Sequence, residues 1–120
     1  MYEGDFTMVR KARVKVEEHL RDGDGTCIMY HGLEKEEFHG HGRVFAKIVI
    51  KPHSSIGWHQ HVGETEPYYI LSGHGIFVDN DKSETLVGPD DVCLIEVGQS
   101  HAFINNTDED VVMMALVYNE

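Results

Sequence analysis

The feature that most constrains this chain is a succession of short β-favouring runs separated by turns rich in glycine, proline and aspartate, with almost no helical periodicity. Residues 26–31, 75–79, 84–87, 91–96, 102–105 and 111–117 each read as a strand. Residues 43–51 form a longer β-branched run, with Val44, Ala46, Ile48 and Ile50 on one face. Asn80-Asp81-Lys82-Ser83 has the composition of a hairpin turn. Residues 9–16 alternate apolar with basic side chains, which suits an edge strand or a strand donated to a partner subunit. Residues 21–25, 33–42 and 52–57 read as a turn, a charged connection and a loop. Only residues 16–21 carry any helical spacing. A chain of 120 residues with this many strands folds as a sandwich or barrel around one core. We expect a flexible tail at residues 1–8 and a single domain over residues 9–120.

One group of polar residues stands out against this background: His59-Gln60-His61, then Glu66 and Gly73, and later His101 and Asn105. The His-x-His dipeptide spacing alone is weak, because the chain has nine histidines and repeats the pattern at His39-Gly40-His41. The residues downstream of His61 are more specific. Side chains alternate along a strand, so His59 and His61 project the same way. Glu66 leads into the β-favouring run Tyr68-Tyr69-Ile70-Leu71, which Gly73 and Gly75 then punctuate.

Together these residues resemble the cupin superfamily, in particular the small single-domain cupins of the cupin 2 conserved barrel family. That family's first motif runs glycine, five residues, His-x-His, three or four residues, Glu, six residues, Gly. His59, His61, Glu66 and Gly73 stand at those spacings. The second motif runs glycine, five residues, Pro-x-Gly, two residues, His, three residues, Asn, and Gly98, His101 and Asn105 fall in its register. His53 and Asp90 replace the two leading glycines, and Glu96 replaces the proline. These are turn positions rather than ligands, and Asp tolerates a left-handed backbone fairly well, His somewhat less. The resemblance implies an all-β fold, a double-stranded β-helix (jelly-roll) cupin barrel, with the site carried by residues 52–105. It also implies that His59, His61, Glu66 and His101 bind a metal. Glu64 competes with Glu66 as the carboxylate, but only Glu66 fits the family spacing, so Glu64 is placed at the rim of the opening.

Three imidazoles and one carboxylate suit a single divalent transition metal, manganese or iron in the first instance, with nickel, cobalt or zinc also compatible. They make a poor cage for calcium or magnesium. On an octahedral metal, four protein ligands leave two positions, which fits a ligand that binds through two oxygens, such as oxalate, a 2-oxo acid or an enediol. Tyr68 shares the side of its strand with Glu66 and is a candidate catalytic proton donor, with Glu64 as a second candidate. Asn105 is read as a turn or supporting residue. Arg43 and Lys47 share one strand face, where they either serve an anionic substrate or are ordinary surface charges. Trp58 and Phe103 are read as core or pocket wall, and His31, His39, His41, His53 and His74 as solvent-exposed.

Charge narrows the partners. Twenty-one acidic against ten basic residues give a net charge of −11, which disfavours nucleic acid. No run approaches the ~20 apolar residues that span a bilayer, so no membrane partner is expected. The N-terminal residues lack the apolar core of a secretory signal. Cys27 and Cys93 each sit in a strand-like run and read as buried reduced thiols, consistent with the cytoplasm. We expect a homodimer with a small-molecule ligand. The leading functional expectation is a metal-dependent enzyme of dioxygenase, decarboxylase or isomerase type acting on a small polar or acidic substrate. The alternative is a non-catalytic, metal-assisted binding module for a small carboxylate or sugar.

Overall fold

The structure, a computed structural model, describes residues 8–120. The tail expected at residues 1–8 therefore lies, apart from Met8, outside the described residues. Ten strands succeed one another: β1 (Arg13–Glu18), β2 (Thr26–His31), β3 (Gly42–Ile50), β4 (Ser54–Gln60), β5 (Glu64–Ser72), β6 (Gly75–Val78), β7 (Glu84–Val87), β8 (Val92–Ile95), β9 (Ser100–Asn105) and β10 (Val111–Asn119). They form two antiparallel sheets, ordered β1-β2-β3-β10-β5-β8 and β4-β9-β6-β7. This is the jelly roll that the resemblance implies.

The core lies between the sheets, and period-two alternation supplies it. Ala46, Ile48 and Ile50 of β3 and Val111, Met113, Ala115 and Val117 of β10 are buried, as are Ile56, Phe77 and Phe103 from the smaller sheet. Ala115 pairs with Ala46 on one side and with Tyr68 on the other. Two methyl side chains in register leave depth in the barrel where the fully buried Tyr68 ring projects.

Buried Asn105 knits the far end of the barrel. Its amide nitrogen donates to the carbonyls of Ile50, Lys51 and Glu109 at 3.0, 3.0 and 2.7 Å. Its oxygen accepts from the Thr107 backbone N–H and hydroxyl at 3.0 and 2.7 Å. The side chain thus fulfils the supporting role expected of it, with its hydrogen-bonding capacity satisfied.

Several local expectations need correction. The N-terminal strand spans Arg13–Glu18 rather than residues 9–16, and it pairs at the sheet edge with β2 alone. Residues 16–21 are not helical in the α sense. The strand ends, and a single 3-10 turn, Leu20–Asp22, comes next, in which His19, Arg21 and Asp22 have φ of 55°, 54° and 64°. Residues 52–57 are not all loop, because β4 begins at Ser54. The buried Ser54 and Ser55 hydroxyls accept hydrogen bonds from the Thr26 and Asp24 backbone N–H groups at 3.0 and 2.8 Å, tying β4 to the segment before β2. The charged connection after β2 contains a 3-10 turn at Lys35–Phe38.

The substituted motif positions keep the backbone shapes that glycine would have given. His53 has φ 57° and Asp90 has φ 72°. Glu96, in place of proline, donates its backbone N–H to the Gln99 side chain at 3.0 Å, a bond proline could not make. Cys27 and Cys93 are free and buried, and burial first of all raises their thiols to about 12 and about 11.

Candidate metal centre

Three strands converge at one end of the barrel. β4 pairs with β9 so that His59 stands opposite His101, and β5 brings Glu66 across from Ile95 of β8. A register irregularity between Ile56 and His59 lets both residues face inward although three positions apart. His61 lies just past the end of β4, where its N–H bonds to Gln99 O and its carbonyl accepts from Gly98 N.

The three Nε2 atoms form a triangle with sides of 3.1 Å. Glu66 Oε1 lies 3.0 Å from His61 Nε2 and 3.1 Å from His101 Nε2. This carboxylate oxygen is buried yet has no partner with hydrogen-bond geometry. Acceptor atoms gathered this closely repel one another unless something positive sits among them.

Tautomer and orientation are fixed from outside the cluster. His59 Nδ1 lies 2.7 Å from Gly57 O, and His61 Nδ1 lies 3.0 Å from Glu64 Oε1. Each acceptor holds the Nδ1 proton and turns the Nε2 lone pair inward, as metal-binding imidazoles require. His101 is held differently: its Nδ1 has no partner, but its ring stacks on Tyr68 at 5.1 Å and meets Phe77 edge-on at 5.8 Å.

Charge states agree with this orientation. Burial, against the pull of the Gly57 carbonyl, lowers His59 to about 4, so it is neutral at pH 7. Burial also works to lower His61, but the adjacent Glu66 and Glu64 carboxylates outweigh that and raise it. Burial works to raise Glu66, yet the His101 and His61 imidazoles hold it down to about 2, so it is ionised. Burial, reinforced by Glu66, pushes the Tyr68 phenol well above its usual range and keeps it a hydrogen-bond donor. Its hydroxyl stands 3.4 Å from His101 Nε2.

The donor spacing can be tested against coordination geometry. With bonds of about 2.1 Å, neighbouring donors on an octahedron are about 3.0 Å apart and opposite ones about 4.2 Å; a tetrahedron would set all of them about 3.4 Å apart. The contacts of 3.0–3.1 Å match neighbouring octahedral vertices. His59 and Glu66 form no ion-pair contact, although all four donors lie within 4.8 Å of one another, as an opposite pair would. His59, His61, Glu66 and His101 would suit a divalent metal held between three imidazole nitrogens and one carboxylate oxygen.

Glu64 does not stand free at the rim. Besides holding His61, it receives a bidentate ion pair from Arg43, with Nε and Nη2 at 2.8 and 2.7 Å from its two oxygens. The Arg43 hydrogen bond keeps this carboxyl below its usual range. The expected pairing of Arg43 with Lys47 on one strand face is broken by an irregularity between Val117 and Tyr118, where β10 skips Arg43 in passing from Val44 to Gly42. Arg43 therefore reaches the cavity rim, whereas Lys47 stays on the outer face with its ammonium 4.3 Å from the Tyr30 ring centroid.

A cavity of about 210 Å³ opens from the cluster, with His59, His61, Glu66 and Tyr68 at its base and Arg21, His31 and Arg43 toward its rim. Arg21 and His31 are not expected here from the sequence; packing of the Leu20–Asp22 turn against β4 brings Arg21 to the cavity, the pairing of β2 with β3 brings His31, and no local signal marks them. Trp58 departs furthest from its expected place in the core or pocket wall. It neighbours inward-facing His59 and so points out, 40 % exposed, with Lys82 stacked 4.3 Å from its ring centroid. Phe103 is in the core as expected, and His39, His41, His53 and His74 are exposed.

Comparison with known proteins agrees with this fold. The Cupin_2 family (cupin domain) matches residues 46–117. A Thermotoga maritima protein named oxalate-binding protein is 39 % identical over 119 residues, which is 98 % of each chain. A crystal structure described as a predicted oxalate decarboxylase from Thermotoga maritima aligns with TM-score 0.88 and 35 % identity, over 95 % of this chain and all of that one. The polyketide cyclase RemF from Streptomyces resistomycificus shares the fold at TM-score 0.73 and 18 % identity, over 95 % of this chain and 80 % of its own.

Proposed function

This chain belongs to the Cupin_2 family, and on that premise we propose that it is a metal-dependent enzyme acting on a small acidic substrate that binds through two oxygens. His59, His61, Glu66 and His101 would hold the metal, with manganese or iron as the first candidates. The observation that carries the reading is the convergence of three imidazole nitrogens on a buried, unpartnered carboxylate oxygen. A divalent ion there would supply Lewis acidity and a template for the substrate's oxygens.

The chain's own groups have separable roles. Glu64, braced by Arg43, fixes the His61 ring, so it is a positioning residue. Among the described residues, Tyr68 is the one neutral hydroxyl donor in the base of the cavity, and it would hydrogen-bond to bound substrate or pass it a proton. The relatives named for oxalate support a decarboxylase over a dioxygenase or an isomerase.

A second reading is a binding module without turnover, and two observations favour it. One relative is named as a binder, and the carboxylates beside the imidazoles, Glu64 and Glu66, are both committed to them, while Glu17, the other carboxylate lining the cavity, pairs with Lys15. The two readings separate in one assay. Manganese- or iron-loaded protein is incubated with oxalate and 2-oxo acids, with carbon dioxide release and oxygen uptake followed beside calorimetric binding. The enzyme reading expects turnover that falls about tenfold or more in Tyr68→Phe while metal content is kept. Binding without turnover under every metal supports the module.

The same reading places the domain, residues 9–120, in the cytoplasm as a homodimer. Buried reduced thiols suit that compartment, and no described helix is long and apolar enough to cross a membrane. The outer face of the larger sheet exposes Phe45, Tyr69, Leu71, Val92 and Leu94, an apolar area suited to a second copy. Light scattering at micromolar concentration should give twice the chain mass; a monodisperse monomer would contradict the dimer.

A further inference from the structure

The metal-centre reading leaves open which acid the cavity takes, and its walls bear on that question. Between the polar base and the rim, the cavity is lined by Leu20, Met29, Val44, Ile48, Ile56 and Val117. At about 210 Å³ it has room for about seven waters at ~30 Å³ each, more than a two-carbon diacid displaces. Resting on that reading, we infer that the preferred ligand is a 2-oxo monocarboxylate with an aliphatic chain of about three to five carbons, its oxo and carboxylate oxygens toward His59, His61 and Glu66 and its chain among these apolar residues.

The charges around the cavity argue against a second carboxylate on the ligand. Arg43 is spent on Glu64 in a bidentate pair. His31 is lowered by burial and by Arg13, so it is neutral at pH 7. Arg21 is exposed at the rim, and Glu17 lines the same cavity with the opposite charge. Among the described residues, no lining cation is therefore both interior and uncommitted. In oxalate, two oxygens face the donor cluster and two face away from it. One of the outer pair would lie near Tyr68, but the other would meet methyl and methylene groups, where an anionic oxygen loses hydration with nothing in exchange. A 2-oxo monocarboxylate has only one oxygen in that position, near Tyr68, and its chain gains from the same walls.

The test is direct binding, independent of turnover. Protein loaded with Mn(II) is titrated calorimetrically with oxalate, pyruvate, 2-oxobutanoate, 3-methyl-2-oxobutanoate and 4-methyl-2-oxopentanoate. Affinity should rise about fourfold per buried methylene from pyruvate to 4-methyl-2-oxopentanoate, which should bind more tightly than oxalate. Val44→Phe, at the half-buried end of the apolar wall, should flatten that dependence. Binding of oxalate above every monocarboxylate, with no dependence on chain length, would overturn the inference and leave the metal-centre reading standing. Protein that takes up none of Mn(II), Fe(II), Co(II), Ni(II) and Zn(II) would overturn both. The chain-length series on the unmodified protein decides the matter even if Val44→Phe fails to fold.

Discussion

Replacing Glu64 with glutamine should separate positioning from ligation. The carboxylate is largely sheltered, with its side chain 13 % exposed, and it holds His61 Nδ1 at 3.0 Å. Glutamine keeps the shape but loses the charge, and it can present an amide N–H where His61 needs an acceptor. A hydrogen bond to a charged group contributes about 1.5–3 kcal/mol, and losing such a partner of a metal-binding imidazole costs about 10- to 100-fold in metal affinity. Arg43→Ala should cost far less. Its side chain is 39 % exposed, so the ion pair contributes about 0.2–1 kcal/mol, or at most about fivefold. Since Arg43 reaches His61 only through Glu64, its effect should shrink further in the Glu64→Gln background. The assay is the Mn(II) or Zn(II) dissociation constant by chelator competition for the two single variants and the double. A Glu64→Gln affinity within twofold of the parent would refute the positioning role, as would equal losses in the two single variants.

Three further outcomes are expected. Asn105→Asp sets a carboxylate against the carbonyls of Ile50, Lys51 and Glu109, and should lower stability by about 3 kcal/mol or more; a denaturant midpoint near that of the parent would contradict it. At Gly57 a Cβ would overlap the backbone carbonyl of Arg21 and crowd Gly23 N, neither of which can yield cheaply. Gly57→Ala should therefore lose about 1–3 kcal/mol, read as a fall in Tm of several degrees, and an unchanged Tm would be inconsistent with the close approach. Metal binding needs bare Nε2 atoms, and His61 is raised above its ordinary value while His59 lies at about 4. Affinity should therefore weaken as pH falls through neutrality, when His61 begins to hold a proton, with His59 competing only near pH 4. A flat profile between pH 7.5 and 5.5, on the order of one pKa interval either side of a histidine, would speak against those assignments.

The sequence is most legible where one residue's alternation decides its face. His59, His61, Glu66 and His101 meet as their spacing implies, because strand periodicity and motif register speak to the same positions. His53 and Asp90 keep left-handed backbones where glycine would be expected, so the departures cost the turns nothing visible. Legibility fails where alternation breaks or where distance in sequence hides a neighbour. The irregularity at Val117 sends Arg43 to the rim and leaves Lys47 outside, a separation no local pattern announces. Bulk alone points Trp58 inward, although its place beside His59 already demands the outer face. Ser54 and Ser55 read as loop because their hydroxyls serve backbone groups of Thr26 and Asp24, far away in the chain. Arg21 reaches the cavity through the packing of its turn on β4, and His31 through the pairing of β2 with β3.

The central claim is that His59, His61, Glu66 and His101 form one transition-metal site. Elemental analysis of untagged protein, beside a His59→Ala, His101→Ala double variant shown to be folded, tests it most directly. The account predicts close to one manganese or iron per chain in the parent and none in the variant. A parent that stays metal-free after reloading, or a variant that keeps its metal, would contradict it.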